Sequence, residues 1–203
     1  FYTPSGNINI NTGRLDLYAS AWAELGRDTA ISDEHTDYTT GNTNLTSHSE
    51  IAERDRNFGG SIGSVFEINP KHSIGAEFEY WRNNEKGPND SYTDFTDAGA
   101  VTRTESRYGI HNIRDNYSAT FNYIYKLDTL GSTFKLLLDY NRRNGDDHSD
   151  YHSLYSGFRN LDSTYRSDII TLNNIYSATA DFDIALSKVS KLTTGIKYTN
   201  NGM

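Results

Sequence analysis

The residues best suited to chemistry in this chain gather in one polar stretch, Asn144-Gly-Asp-Asp-His-Ser-Asp-Tyr-His152. His148 and His152 stand four apart, a spacing that holds a metal when both project from one helix face and a third ligand lies near. The stretch has no helical pattern and no third ligand, so it reads as a polar loop. Asn144, Asp146, Asp147 and Asp150 offer the oxygens that Ca²⁺ takes up in flexible loops, but the EF-hand order of ligands and its closing Glu are missing. Asp146, Asp147 and Asp150 are therefore the Ca²⁺ candidates in a chain expected to need no metal or cofactor.

Two carboxylate pairs, Glu77/Glu79 and Asp181/Asp183, have the i, i+2 spacing that puts both acids on one face of a strand. Such pairs suit acid–base work, but solvated acids on a polar wall account for them equally well. There is no Gly-rich phosphate loop ahead of a helix and no nucleophile beside a base, so no catalytic residue is expected. Binding is the more natural chemistry. Tyr38, Tyr92, Phe95, Tyr151 and Tyr155, with Phe158 and Tyr165, fall in polar segments beside Asn, Asp and Arg. Exposed aromatics in that company take glycans or peptides by stacking and hydrogen bonding, unless they pack on one another.

The elements that must position these residues show a period of two. In 15–25, Leu15, Leu17, Ala19, Ala21, Ala23 and Leu25 alternate with Asp16, Tyr18, Ser20, Trp22 and Glu24. The same alternation recurs in 58–68, 74–81, 117–125, 134–140, 176–186 and 192–199, and 7–11 adds a short segment, giving eight candidate strands. No segment keeps a 3.6 period. Short turns are expected near 12–14, 69–71, 128–131 and 187–190, and long polar loops over about 27–47, 83–105 and 142–166, some of them prolonging the strands. The expected fold is all-β: an antiparallel up-and-down meander of about eight long strands, in four hairpins.

Composition narrows the setting. Of 203 residues only 35% are hydrophobic while 13% are aromatic, and there is no Cys, so disulfides and thiolate metal sites are excluded. The net charge of −8 argues against nucleic acid, which needs clustered Lys and Arg. No run approaches the ~20 apolar residues of a spanning helix. The opening Phe1-Tyr-Thr-Pro-Ser is not a signal peptide, which leaves export undecided. Alternation over ~9–11 residues is the length that crosses a bilayer as a tilted strand, and globular strands are usually shorter. The apolar side carries Phe66, Tyr125 and Phe134 near the short turns, and Phe58, Tyr80, Tyr140, Tyr176 and Tyr198 near the loops. Two aromatic girdles around an apolar band, tight turns on one rim and long loops on the other describe a transmembrane β-barrel. Asp16, Glu77, Glu79, Lys135, Asp139, Asp181, Asp183 and Lys197 would then line its lumen. A soluble or surface-exposed β-domain binding glycan or protein is the alternative, and its apolar face would meet a second sheet. A small complete eight-stranded barrel is a third.

The run Asn57-Phe-Gly-Gly-Ser-Ile-Gly-Ser-Val-Phe-Glu-Ile-Asn-Pro-Lys-His-Ser-Ile-Gly-Ala-Glu-Phe-Glu-Tyr80 resembles barrel segments of TonB-dependent receptors. It is most similar to the Bacteroidetes outer-membrane β-barrel family, as are Gly13-Arg14-Leu15-Asp-Leu-Tyr-Ala-Ser and Asp181-Phe-Asp-Ile-Ala-Leu-Ser-Lys188. The resemblance implies a section of barrel wall in an outer-membrane transporter for a siderophore, glycan, peptide or cobalamin. Its partners would be outer-membrane lipid, the rest of the barrel, a plug domain, TonB through a part not seen here and a surface lipoprotein. Family barrels have many more strands, and no plug or TonB-contacting segment is recognisable. Both ends of the chain are expected on the long-loop side, as in an interior slice of a larger barrel.

Overall fold

The computed structural model describes residues 1–39, 41–156, 161–187 and 189–202. Eight strands follow in order: β1 (Ser5–Asn11), β2 (Leu15–Tyr38), β3 (Thr43–Asn69), β4 (His72–Asp97), β5 (Ala100–Lys126), β6 (Thr133–Ser156), β7 (Leu161–Ala185) and β8 (Lys191–Gly202). Each pairs antiparallel with the next, in a single sheet of order β1 to β8. Among the described residues β1 pairs only with β2, and β8 only with β7, so the sheet is open at both edges.

The short turns are stapled by one polar side chain each. Asn11 Oδ1 accepts from the amide of Gly13 (2.8 Å), and Asn69 Oδ1 from those of Lys71 and His72 (2.9 and 3.1 Å). Asp128 Oδ1 takes the amides of Leu130, Gly131 and Ser132 at 2.8–3.0 Å, and the Ser132 side chain, followed by these amides, holds its carboxyl below the ordinary range. Ser187 Oγ accepts from Val189 and Ser190 in the last turn. Asn, Asp and Ser mimic a backbone turn in this way, which is why these positions reverse the chain.

The stretches read as long loops are strand over most of their length. The β2–β3 ladder continues to Tyr38↔Thr43 and the β4–β5 ladder to Asp97↔Ala100. That second tip is a two-residue turn with Ala98 (φ 48°) and Gly99 (φ 86°) both left-handed, the conformation whose twist matches two antiparallel strands. The expectation that some of these stretches prolong the strands holds, and polar composition hid only how far, because strands outside a membrane have no need of an apolar side. The β6–β7 tip lies outside the described residues. The strands β2 to β7 hold 24 to 27 residues, or ~80–90 Å each.

Register gathers the alternating side chains into two faces. Leu15, Phe66, Ile74, Tyr123, Leu136, Ala180 and Ile196 are successive cross-strand partners from β2 to β8. Three residues along, on the other face, Tyr18, Gly63, Glu77, Thr120, Asp139, Ser177 and Thr199 form an equally continuous polar row. Tyr18 lies across Gly63, where a Cβ would strike its ring, and reaches Glu77 on β4 (3.2 Å). The apolar face has no cover: Ile62 is 62% and Ile196 73% exposed, and among the described residues no hydrophobic side chain is buried. A soluble sheet would have to bury that band, whereas lipid solvates it.

Aromatics bound the apolar band. Near the short turns His72 stacks on Tyr125 (4.4 Å), and Phe134 packs against Tyr123 and Phe182. At the other edge Tyr80 packs between Phe58 and Tyr117, and Tyr140 packs on Tyr176 (4.9 Å). This upper girdle steps back by two residues at intervals, since Tyr140 pairs with Ala119 rather than Tyr117. A horizontal line drawn across tilted strands steps in this manner.

Candidate functional site: the luminal wall above the upper girdle

Above the upper girdle the polar face continues as a wall, and two groups of side chains on it could act together. The first is a ladder of rings. Asn89 on β4, Tyr108 on β5, Tyr151 on β6 and Tyr165 on β7 are consecutive partners in one cross-strand row. Tyr151 stacks on Tyr165 at 4.4 Å with planes 7° apart, and on Tyr108 at 5.2 Å. Asn89 is buried, donates to the Tyr108 hydroxyl (2.5 Å) and accepts from Ser49 of β3 (3.3 Å). The rings therefore stack face to face along the row. They present a line of hydroxyls, ending in Tyr165, which is 56% exposed.

The second group is acidic. Asp28, Glu53, Asp55 and Glu85 project from β2, β3 and β4 a few residues nearer the membrane, with Asp28 opposite Glu53 and Asp55 opposite Glu85. Desolvation, and then the neighbouring charge of Glu85, push the Glu53 and Asp55 carboxyls up. Asn112 donates to Glu85 (3.3 Å), and Arg114 meets Asp147 (3.2 Å) on the same face. Like carboxylates on adjacent strands repel, so this part of the wall favours positive charge in the lumen.

The aromatics read from the sequence divide between the faces. Tyr151 is the middle ring of the ladder, with Tyr165 beside it. Tyr38, Phe95 and Tyr155 share the luminal face nearer the tips, and each is at least 41% exposed. Tyr92 points outward, stacked on His48 (5.3 Å) with the Arg103 guanidinium 4.4 Å over its ring. Phe158 lies outside the described residues.

The Ca²⁺ candidates do not converge. Strand alternation sets Asp146 and Asp150 on the outer face and Asp147 on the luminal one, and Asp150 is engaged by Arg166 (2.7 Å) and His148 (3.1 Å). Among the described residues no three His, Asp or Glu side chains are placed to hold a metal ion. His148 bonds Asp168 and His152 meets Asp162 (2.7 Å), so the two histidines serve separate cross-strand pairs.

Sequence reading missed Tyr108, Asn89 and the acids at 53, 55 and 85. No apolar alternation marks these segments as strand, and only the register between neighbouring strands brings the side chains together.

Residues 125–203 match the model of an outer membrane protein beta-barrel family, over the end of β5 and all of β6, β7 and β8. No curated protein matches the chain. With the two-faced sheet and its girdles, the match defines the class: this is transmembrane β-barrel wall of the outer membrane.

Proposed function

We propose that this chain is wall and extracellular rim of a TonB-dependent transporter that takes up a nutrient such as a siderophore, glycan or peptide. The observation that carries the reading is the length of β2 to β7. A strand of ~9–11 residues spans a bilayer, so more than half of each strand stands beyond the membrane as a polar-lined vestibule. A simple anchor has no use for such a vestibule. Tyr151, Tyr165 and Tyr108, with the rim residues Tyr38, Phe95 and Tyr155, are the binding surface in this reading, and no residue acts as a catalyst.

The open edges support further strands beside β1 and β8, because unpaired backbone cannot face lipid. A plug within the completed ring would gate it, TonB would energise it, and a surface lipoprotein would cover the rim. The test is uptake of labelled siderophore, oligosaccharide and peptide pools by cells with and without the protein, each with and without a proton-motive force. Uptake lost with the gene and with the force supports the reading; uptake indifferent to both overturns it. An Ile8→Cys/Ile196→Cys pair, on the first and last strands, adds a check. Cross-linking within one chain would mean a ring closed at eight strands, too narrow for transport.

A further inference from the structure

On the outer face, just above the upper girdle, three cations and a histidine stand in one cross-strand row. Arg27 of β2 is the partner of Arg54 on β3, Arg54 of Lys86 on β4, and Lys86 of His111 on β5. Arg56 projects from the same face one rung nearer the membrane, opposite Leu25. Like charges directly opposite on neighbouring strands destabilise a sheet, so such a row calls for something between them.

Four other arginines on this face are neutralised by acids of the protein itself. Arg82 is held by Asp115, Arg103 by Asp94, Arg107 by Asp90 and Arg166 by Asp150. Arg27, Arg54, Arg56 and Lys86 form no ion pair among the described residues. The acids at their level, Asp28, Glu53, Asp55 and Glu85, alternate to the opposite side of the sheet. The side chains leave a hollow of about 340 Å³ lined by Arg54, Arg56, Asn84, Lys86 and His111. The β3–β4 ladder is interrupted on both sides of it, at 52–53 against 87–88 and at 56–57 against 83–84. Pro88, which has no amide hydrogen, sits at the first break.

Height selects the occupant. Arg56 and Arg54 lie two and four residues beyond Phe58, and Lys86 six beyond Tyr80, which is ~5–15 Å above the girdle for strands tilted ~40°. The face is continuous with the lipid-solvated band, so what reaches this hollow is the headgroup of a lipid packed against the barrel. From the unneutralised row, the hollow and its level we infer that Arg27, Arg54, Arg56 and Lys86 form a docking site for the phosphate of an anionic outer-leaflet glycolipid. Guanidinium forks and an ammonium group suit phosphate oxygens. The site faces away from the lumen and is independent of any transported ligand.

The test uses the whole protein purified from its own outer membrane, beside an Arg54→Gln/Lys86→Gln variant and an Arg107→Gln control from the same face. Native mass spectrometry counts phosphorylated glycolipid retained through exchange into neutral detergent. Wild type and the control should retain it, and the double variant should lose it at least tenfold. Thermal unfolding adds a second reading. In neutral detergent the double variant should be the more stable, because repulsion has been removed, and added phosphorylated glycolipid should stabilise only wild type. Equal retention by all three proteins would overturn the site. Stabilisation of wild type by inorganic phosphate, or by dephosphorylated glycolipid, to the same degree would overturn the lipid-phosphate assignment.

Discussion

Tyr80 donates its hydroxyl hydrogen to Asp115 on the neighbouring strand, 2.6 Å away, at the line where the apolar band ends. Asp115 also receives two nitrogens of Arg82, at 2.7 and 2.8 Å, and those bonds hold its carboxyl below the usual range. The pair ties the last aromatic of the girdle to the first charges above it. Asp115→Ala would leave both donors without an acceptor. Charged hydrogen bonds contribute ~1.5–3 kcal/mol, and with Arg82 partly in solvent a loss of about 2 kcal/mol is expected in urea unfolding from lipid vesicles. Tyr80→Phe should cost less than half as much.

The acids of the luminal wall set a pH dependence of known sign. The Glu53 and Asp55 carboxyls are raised, so the folded protein holds protons at a pH where the unfolded chain has released them. Their mutual repulsion is present at neutral pH and is relieved as pH falls through the raised folded values towards the ordinary carboxylate range. Unfolding resistance should rise as pH is lowered from neutrality towards the ordinary carboxylate range. Glu85→Gln should flatten that rise. A wild-type curve that only falls with acid would refute this. At still lower pH the depressed acids Asp94, Asp115 and Asp150 reverse the trend as they are protonated.

Charge placed on the two faces of β3 should have unequal consequences. Ile62 points to lipid in mid-band and Ser61 to the lumen, opposite Ser20 and Glu79. Ile62→Arg should destabilise by ~2–4 kcal/mol, the cost of a cation near the bilayer midplane, while Ser61→Arg should be nearly neutral. Similar losses at both positions would show that the faces have been assigned wrongly.

Removal of the middle ring of the ladder should loosen the vestibule without unfolding the barrel. Aromatic pairs are worth ~0.5–1.5 kcal/mol each, and Tyr151 makes two. Tyr151→Ala should speed amide exchange around Tyr108 and Tyr165 by roughly ten-fold or more and leave the residues between the girdles unchanged. Uniform change across the chain would contradict an independent ladder.

At the β4–β5 tip, Ala98 holds a left-handed backbone that costs an alanine ~1–2 kcal/mol. Ala98→Gly should remove most of that strain and raise the midpoint of local unfolding. A loss of stability would mean that the Ala98 side chain has a role of its own.

The membrane-crossing part of this protein was legible because lipid enforces a strict rule on every second side chain. Leu15 to Leu25, Phe58 to Ile68 and Tyr176 to Leu186 announce their strands by alternation, and Tyr80 and Tyr140 announce the girdle. Beyond the girdle both faces are wet, so Glu53 to Asn44 and Asn83 to Asp97 carry no apolar contrast although their backbones pair just as regularly. Tyr151 was found by its chemistry but not its neighbours, since Tyr108 lies 43 positions away and meets it only through the β5–β6 register. The basic row was hidden for the same reason: Arg27, Arg54 and Lys86 stand on three different strands and are brought side by side only by register.

The register from β2 to β7 is uniform apart from one shift between Glu67 and Asn69 beside a short turn. Every rung is thus interchangeable with the one above it. A single inserted residue within a hairpin would exchange lipid-facing and lumen-facing side chains along the rest of that strand. Matched pairs added at a tip, as beside Ala98 and Gly99, would disturb nothing below. The height of the extracellular rim is free to drift through evolution in whole rungs while the membrane belt stays fixed, so related chains should differ in length at their tips in even steps.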